Sequence, residues 1–284
     1  MENNKSKTVF VLEGGAMRGL YTAGVLDAFM QNGVSTDAIY GVSAGALFGI
    51  NLKSKQIGRA IRYNLKYAHE KNYMSLYSLI TTGNIMNEKF CFDRIVNELD
   101  KFDFDTFDSS PIEFYAVVTN VETGKAEYMH ITNSRRDLEK LRASGSMPFV
   151  SKLVEIDGVK YLDGAISDPI PLQKALDEGY GKIVVVLTRA EDEPKSKEKL
   201  PYNFVYRKYP SFVKCAKEQL EKYNESLELV KKLENEGRII VLRPSQNLKI
   251  ARVEKNLNKL KAIHQLGVDD CTKKLDEIKM YFES

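Results

Sequence analysis

A serine set between glycines, where a buried apolar run gives way to a helix-forming one, constrains this chain more than any other stretch. Ala38-Ile39-Tyr40 leads into Gly41-Val42-Ser43-Ala44-Gly45, and Ala46-Leu47-Phe48-Gly49-Ile50 follows. The first run reads as a strand end and the second as a helix start. A G-x-S-x-G at such a junction is a nucleophile elbow: small flanking residues let the backbone turn sharply and lift the serine oxygen out of the fold. Alone, the pentapeptide reads equally well as a Gly/Ser-rich turn, so the rest of the chain has to decide.

The preceding residues supply a partner for it. Thr8-Val9-Phe10-Val11-Leu12 is β-branched and aromatic without alternation, as in a strand buried on both faces. It runs into Glu13-Gly14-Gly15-Ala16-Met17-Arg18-Gly19. Leu20, Ala23, Val25, Leu26, Phe29 and Met30 then recur at helical spacing, and Asn32-Gly33 stops that helix. The order strand, Gly loop, helix, strand, Ser turn, helix is a βαβα unit, whose crossover makes the strands parallel. Further strands are predicted at 114–119, 126–130 and 182–187, with a hairpin over 153–162. Helices are predicted at 90–99, 136–143 and 169–178. The fold class is α/β.

A chain of 284 residues holds one large domain, or one domain with an appendage. The composition shifts at Arg189, which divides a core at 1–190 from a mostly helical extension at 191–284. That extension reads as a long helix at 214–236, a strand at 239–242 joining the main sheet, and helices at 252–264 and 269–282. A net charge of +3 is too small to suggest nucleic acid. Cys91, Cys215 and Cys271 are scattered and odd in number, which argues for a reducing compartment. Residues 1–7 are polar, and no apolar run approaches the roughly 18–20 residues of a membrane span. The expected location is cytoplasmic.

Two stretches leave peripheral membrane contact open. Residues 53–71 hold Lys53, Lys55, Arg59, Arg62, Lys66 and Lys71 against Glu70 alone. They make either a solvated helix face or a positive collar beside the serine that attracts anionic lipid. Residues 202–212 interleave Tyr202, Phe204, Tyr206, Tyr209 and Phe212 with Arg207 and Lys208, as irregular packing or as a lid or interfacial surface.

An activated serine needs a base and an oxyanion hole. The histidines are His69, His130 and His264. The order Ser43, Asp163, His264 matches an α/β-hydrolase triad, although His264 also reads as the cation closing an amphipathic helix. The loop 13–19 is a ready anion site, since its N–H groups face whatever sits at the helix N-terminus. Arg18 opposes the helix dipole there by roughly 0.3–1 kcal/mol. It makes sense if it meets an anion or anchors a carboxylate. Ala16 at the second glycine position makes a dinucleotide fingerprint a weak reading of this loop. No motif calls for a metal or cofactor.

The loop Gly14-Gly15-Ala16-Met17-Arg18-Gly19, the elbow Gly41 to Gly45 and the triplet Asp163-Gly164-Ala165 resemble, in order, the three motifs of patatin-like phospholipases. Ala143-Ser144 with Met147-Pro148 is similar to the family's Ala-Ser…Pro block, and Asp168 and Pro171 trail the aspartate as that family's pattern implies. The resemblance covers about Thr8 to Arg189. The stretch LEGGAMRGLYTAGVL, with the helical extension, resembles the bacterial intracellular subgroup.

The resemblance implies a three-layer α/β/α fold with a mainly parallel sheet. It implies a serine lipid acyl hydrolase of the phospholipase A or carboxylesterase type, acting on phospholipid or another lipid ester. Ser43 would be the nucleophile and Asp163 its base. The N–H groups of Gly14, Gly15 and Ala16 would bind the oxyanion, with Arg18 supporting the loop. Gly19, Gly41, Gly45, Gly164 and Ala165 would shape the motifs. Ala16 stands where the family usually has a third glycine. An unperturbed aspartate, with a pKa of about 3.9, is a poor base at neutral pH, and burial would raise it. The alternatives are the Ser43-Asp163-His264 triad and a catalytically weak membrane-surface or protein-binding module.

Overall fold

A computed structural model describes residues 6–196 and 200–284. Its strands are β1 (Thr8–Leu12), β2 (Ala38–Val42), β3 (Glu113–Asn120), β4 (Ala126–His130), β5 (Val154–Ile156), β6 (Val159–Asp163), β7 (Lys182–Val186) and β8 (Ile239–Leu242). They form one sheet. β3, β2, β1, β7 and β8 run parallel in that spatial order. β4 and β6 pair antiparallel with β3, and β5 with β6. The helices are α1 (Leu20–Gln31), α2 (Ala44–Lys53), α3 (Arg59–Tyr67), α4 (Leu76–Thr82), α5 (Phe104–Ser109), α6 (Leu138–Ser144), α7 (Leu172–Asp177), α8 (Tyr202–Val205), α9 (Pro210–Lys217), α10 (Gln219–Asn235) and α11 (Leu257–Glu283). Phe90–Leu99 winds as a π-helix.

The strand residues explain the layering. Side chains alternate across a strand, so each strand feeds two cores. Phe10, Leu12, Ile39, Val184, Val186 and Ile240 face one side, where α1, α2, α3 and α11 pack. Val9, Val11, Ala38, Ile183, Val185 and Ile239 face the other, against Leu172 of α7 and Tyr223, Val230 and Leu233 of α10. Both faces are covered, which is why the central strands read as continuous apolar runs. The result is the expected α/β/α sandwich.

The C-terminal third does not stand apart from it. β8 pairs with β7, and α11 lies along α1. Their contact is a close approach of backbones. A Cβ on Gly24 would stand 2.0 Å from the carbonyl oxygen of His264, and one on Gly267 2.1 Å from that of Tyr21. Gly267 therefore does not interrupt its helix. The expected helices at 252–264 and 269–282 merge into the single helix α11, which begins only at Leu257, because Gly267 is needed inside it for the crossing. The expected helix at 214–236 is interrupted at Glu218 instead. The break lets Phe212 and Cys215 of α9 join a cluster with Leu162 and Ile166, while Tyr223 of α10 joins the layer beneath β1 and β7.

Gly24→Val would drive a branched side chain into the α11 backbone. The expected loss is about 2–3 kcal/mol of folding stability, at the upper end of overpacking effects. Urea denaturation of the two proteins measures it.

Candidate active site

β2 ends at Val42 and α2 begins at Ala44, so Ser43 carries the whole change of direction. It sits at φ 52 and ψ −120, a strained conformation for a residue with a side chain. The turn closes only over glycines. A Cβ on Gly41 would stand 2.6 Å from the Ala46 Cα, and one on Gly45 2.5 Å from the Leu12 carbonyl oxygen. The Ser43 N–H donates to Ser144 Oγ at 3.0 Å, and the Ser43 carbonyl starts α2 by accepting from Ala46 and Leu47.

Strand pairing brings Asp163 to the same point. Tyr115 and Val117 of β3 pair with both β2 and β4, so those two strands lie on opposite edges of β3. Thr119 pairs with both β4 and β6, so β6 shares the β2 edge. β3 outruns β2: Val117 faces Val42, and the next residue, Val118, faces Asp163. Asp163 thus arrives where β2 leaves the sheet for the elbow. Gly164 permits the fit, since a Cβ there would stand 2.3 Å from the Val117 carbonyl oxygen.

The Ser43 hydroxyl donates to Asp163 Oδ2 at 2.6 Å. Asp163 Oδ1 accepts from the Ala165 N–H at 2.9 Å, which fixes the carboxylate plane. Its own N–H donates to the Ser146 carbonyl, and its carbonyl accepts from Thr119 Oγ1. Burial raises the Asp163 pKa to about 6, against the hydrogen bonds from Ser43 and Ala165 and the charges of Lys195 and Arg252. That range suits a general base near neutral pH.

The Gly loop lies beside this pair. A Cβ on Gly14 would stand 3.0 Å from the Ser43 Cβ. Among the described residues, the N–H groups of Gly14, Gly15 and Ala16 donate to no protein acceptor. Ala16 holds φ 50, a left-handed conformation that an alanine adopts at some strain. Beneath the loop, buried Glu13 accepts the Thr188 N–H at 2.6 Å, and Thr188 Oγ1 donates to the Gly14 carbonyl at 3.0 Å. Desolvation raises the Glu13 pKa. Arg18 binds Glu193 and the carbonyls of Thr188 and Leu248 at 3.2 and 3.1 Å. It ties the loop to the following chain rather than joining the row of N–H groups. Gly19 lets the helix start press on α2, its Cβ position being 2.6 Å from that of Ala44.

Ser43 stands between two unlike pockets that share Ala16 and Met147 with it. One is apolar and runs past Leu47, Phe48, Met74, Ile85 and Met86. The other is polar and is lined by Asp163, Arg18, Arg189, Lys195, Gln219 and Arg252.

Other expected residues fall elsewhere. His264 Nε2 lies 2.8 Å from Asp27 Oδ2, in the contact between α11 and α1, and His264 lines neither pocket. It lies inside α11 rather than at its end, so both the triad and the helix-end cation readings fail. His130 stacks on Tyr115 and His69 is exposed. The basic stretch is no continuous collar. Lys53 and Arg59 are buried, Lys53 over the Phe107 ring and Arg59 bonded to the Asp100 carbonyl, while Arg62 grips the Asp100 carboxylate. Sequence reasoning missed the roles of Glu13, Ser144 and Thr188. Ser144 was visible in the Ala-Ser pair, but Thr188 reaches the loop only because β7 pairs with β1.

A family model described as Patatin-like phospholipase matches residues 10–176. A second, described as a domain of unknown function (DUF6363), matches residues 209–283. The chain is 30% identical over 188 residues to YjjU of Escherichia coli (strain K12), covering 64% of this chain and 52% of YjjU. It is 26% identical over 188 residues to the lysophospholipase NTE1 of Scheffersomyces stipitis, covering 64% of this chain and 12% of that protein. It thus spans about half the length of the first relative and a small part of the second. Among solved structures, VipD from Legionella pneumophila aligns over 96% of this chain and 67% of its own, with TM-score 0.47 and 12% identity.

The raised pKa of Asp163 has a stability consequence. A carboxyl whose folded-state pKa is about 6 against an ordinary value of 3.8 favours folding fully below 3.8, and that contribution is lost as pH rises through 6. Asp163→Asn removes the ionisation. The variant is expected to exceed the parent in stability above pH 6 by on the order of 2–3 kcal/mol, and to match it near pH 4. Denaturation across that pH range measures the difference.

Proposed function

The chain belongs to the patatin-like phospholipase family, and from that premise we propose that it is a serine lipid acyl hydrolase working through a Ser43–Asp163 dyad. The 2.6 Å hydrogen bond from the Ser43 hydroxyl to a buried carboxylate is the observation that carries this reading. Ser43 Oγ attacks the ester carbonyl carbon while its proton passes to Asp163 Oδ2. The carbonyl oxygen becomes an oxyanion beside the N–H groups of Gly14, Gly15 and Ala16. Asp163 returns the proton to the departing alcohol and leaves an acyl-serine. Asp163 then takes a proton from water, the hydroxide attacks the acyl carbon, and Ser43 regains its proton as the fatty acid leaves.

The two pockets give the substrate its shape. An acyl chain fits the apolar side past Leu47 and Met86, and a polar head fits the side lined by Arg189, Lys195 and Arg252. That polarity suits phospholipid, lysophospholipid or another amphiphilic ester, the lysophospholipase name of one relative being in keeping with it. Arg18 acts here by holding the loop, since removing one oxyanion donor typically lowers the rate by about 100- to 1000-fold. Free Cys91, Cys215 and Cys271 suit a cytoplasmic protein, and no helix of the described residues is long and apolar enough to cross a membrane. Its contact with lipid would then be peripheral.

Hydrolysis of a p-nitrophenyl ester and of a phospholipid is expected to fall at least about 1000-fold in Ser43→Ala and Asp163→Asn. A fluorophosphonate probe should label the parent and not Ser43→Ala. Equal rates in all three proteins overturn the dyad, and absence of labelling favours a binding module. Because Asp163 must be ionised to accept the proton, kcat/KM should fall about tenfold per pH unit below its pKa of about 6 and level off above it. A pH–rate profile checks this, and a profile flat to pH 4 removes Asp163 as the base.

A further inference from the structure

Two short helices hold large apolar side chains out in solvent. On α4, Leu76 is 67% and Ile80 76% exposed; on α8, Phe204 is 77% exposed. Single exposed apolar residues need no explanation, but paired groups around one opening do. Both helices spring from the walls of the candidate active site. α4 is an excursion whose stem is the bridge between Met74 and Met86, and both of those line the apolar pocket. α8 follows Leu200 and begins with Tyr202, and both line the polar pocket.

One segment joins the two excursions. Met147 lines both pockets. Beyond it, the Val150 carbonyl accepts from the Ile85 N–H at 2.7 Å, and the Lys152 N–H donates to Asn84 Oδ1 at 2.8 Å, just past α4. On the other side, the Phe149 ring packs edge-on against Tyr202 and Tyr206, 4.9 and 5.4 Å between centroids, and its N–H donates to the Tyr206 hydroxyl. The exposed apolar residues therefore stand on a braced rim beside Ser43.

The charge of that rim has one sign. Residues 71–87, 146–152 and 200–213 contain no Asp or Glu, and their charged residues are Lys71, Lys152, Arg207 and Lys208. All four are exposed. A second copy of the chain laid on this face by a twofold axis would meet the same cations, whereas an anionic lipid surface complements them.

We propose that α4 and α8, with the 147–152 segment between them, form a docking face that enters an anionic lipid surface and brings the pocket mouth to its substrate. The apolar side chains enter the acyl boundary and the cations meet the head groups. The face is that of the site already read as an acyl hydrolase, and the inference rests on that reading only for what the lipid is delivered to.

Flotation with vesicles tests it in the Ser43→Ala protein, where hydrolysis cannot alter the membrane. The protein should float with phosphatidylglycerol-containing vesicles, less with pure phosphatidylcholine, and less again at high salt. Adding Leu76→Ser, Ile80→Ser and Phe204→Ser should lower the partition coefficient at least about tenfold. With Ser43 intact, the same three substitutions should leave hydrolysis of monomeric p-nitrophenyl butyrate unchanged, which reports an intact fold. Arg207→Glu with Lys208→Glu should abolish the preference for phosphatidylglycerol. Unchanged flotation of the triple variant overturns the proposal, as does absence of flotation at low salt. A parent dimer that becomes monomeric in the triple variant also overturns it. If Ser43→Ala fails to stop hydrolysis, the dyad falls while flotation still reads the docking face.

Discussion

A hydroxyl held against a buried carboxylate sets the demand that the surrounding strands and loops have to meet. Desolvation penalises the ionised form of Asp163 and so makes it a stronger base than an exposed aspartate. The same burial works against folding at neutral pH, so other parts of the fold must hold the group in place. They do so through hydrogen bonds to the Ala165 N–H, the Ser146 carbonyl and Thr119 Oγ1. Ser43 is equally constrained, with its N–H bound to Ser144 and its backbone outside the conformations a serine prefers.

Distant segments meet at this point because of how β3 is shared. Its early residues align β2 and its later ones align β6 on the same edge, so the end of one strand and the end of another come together. The Gly loop is set by a different pair. β1 and β7 run side by side, and beyond their ends Thr188 donates its N–H to Glu13 and its hydroxyl to the Gly14 carbonyl. Arg18 then fastens the loop to Glu193 and Leu248, which lie in the C-terminal third. The α1–α11 crossing at Gly24 and Gly267 holds that third on the sheet. The extension thus bears on the site through the loop and through Gln219 and Arg252 at the polar pocket.

Local patterns made much of this legible. The apolar runs at 8–12, 38–40 and 182–187 fell on the strands, since a strand covered on both faces shows no alternation to misread. The elbow and the Asp-Gly-Ala triplet stood out because their glycines answer to steric limits within a few residues. The basic stretch at 53–71 was less legible, because periodicity cannot tell a solvated arginine from one that bonds a distant carbonyl. Arg59 does the latter at Asp100. The break expected between 264 and 269 is absent, because the glycine there, Gly267, lets two helices touch, and a single chain does not distinguish that from a glycine ending a helix.

Residues close together along the chain were enough to read the parallel α/β frame, a serine turn between glycines and a Gly-rich anion loop. The tertiary fold separated the dyad from the triad, placing Asp163 on the serine hydroxyl and His264 on Asp27. It also decided that the exposed apolar helices share a rim with the pocket. Those outcomes depend on which strand edges pair and which helix faces meet, through contacts between residues up to 237 positions apart, and no local pattern encodes them.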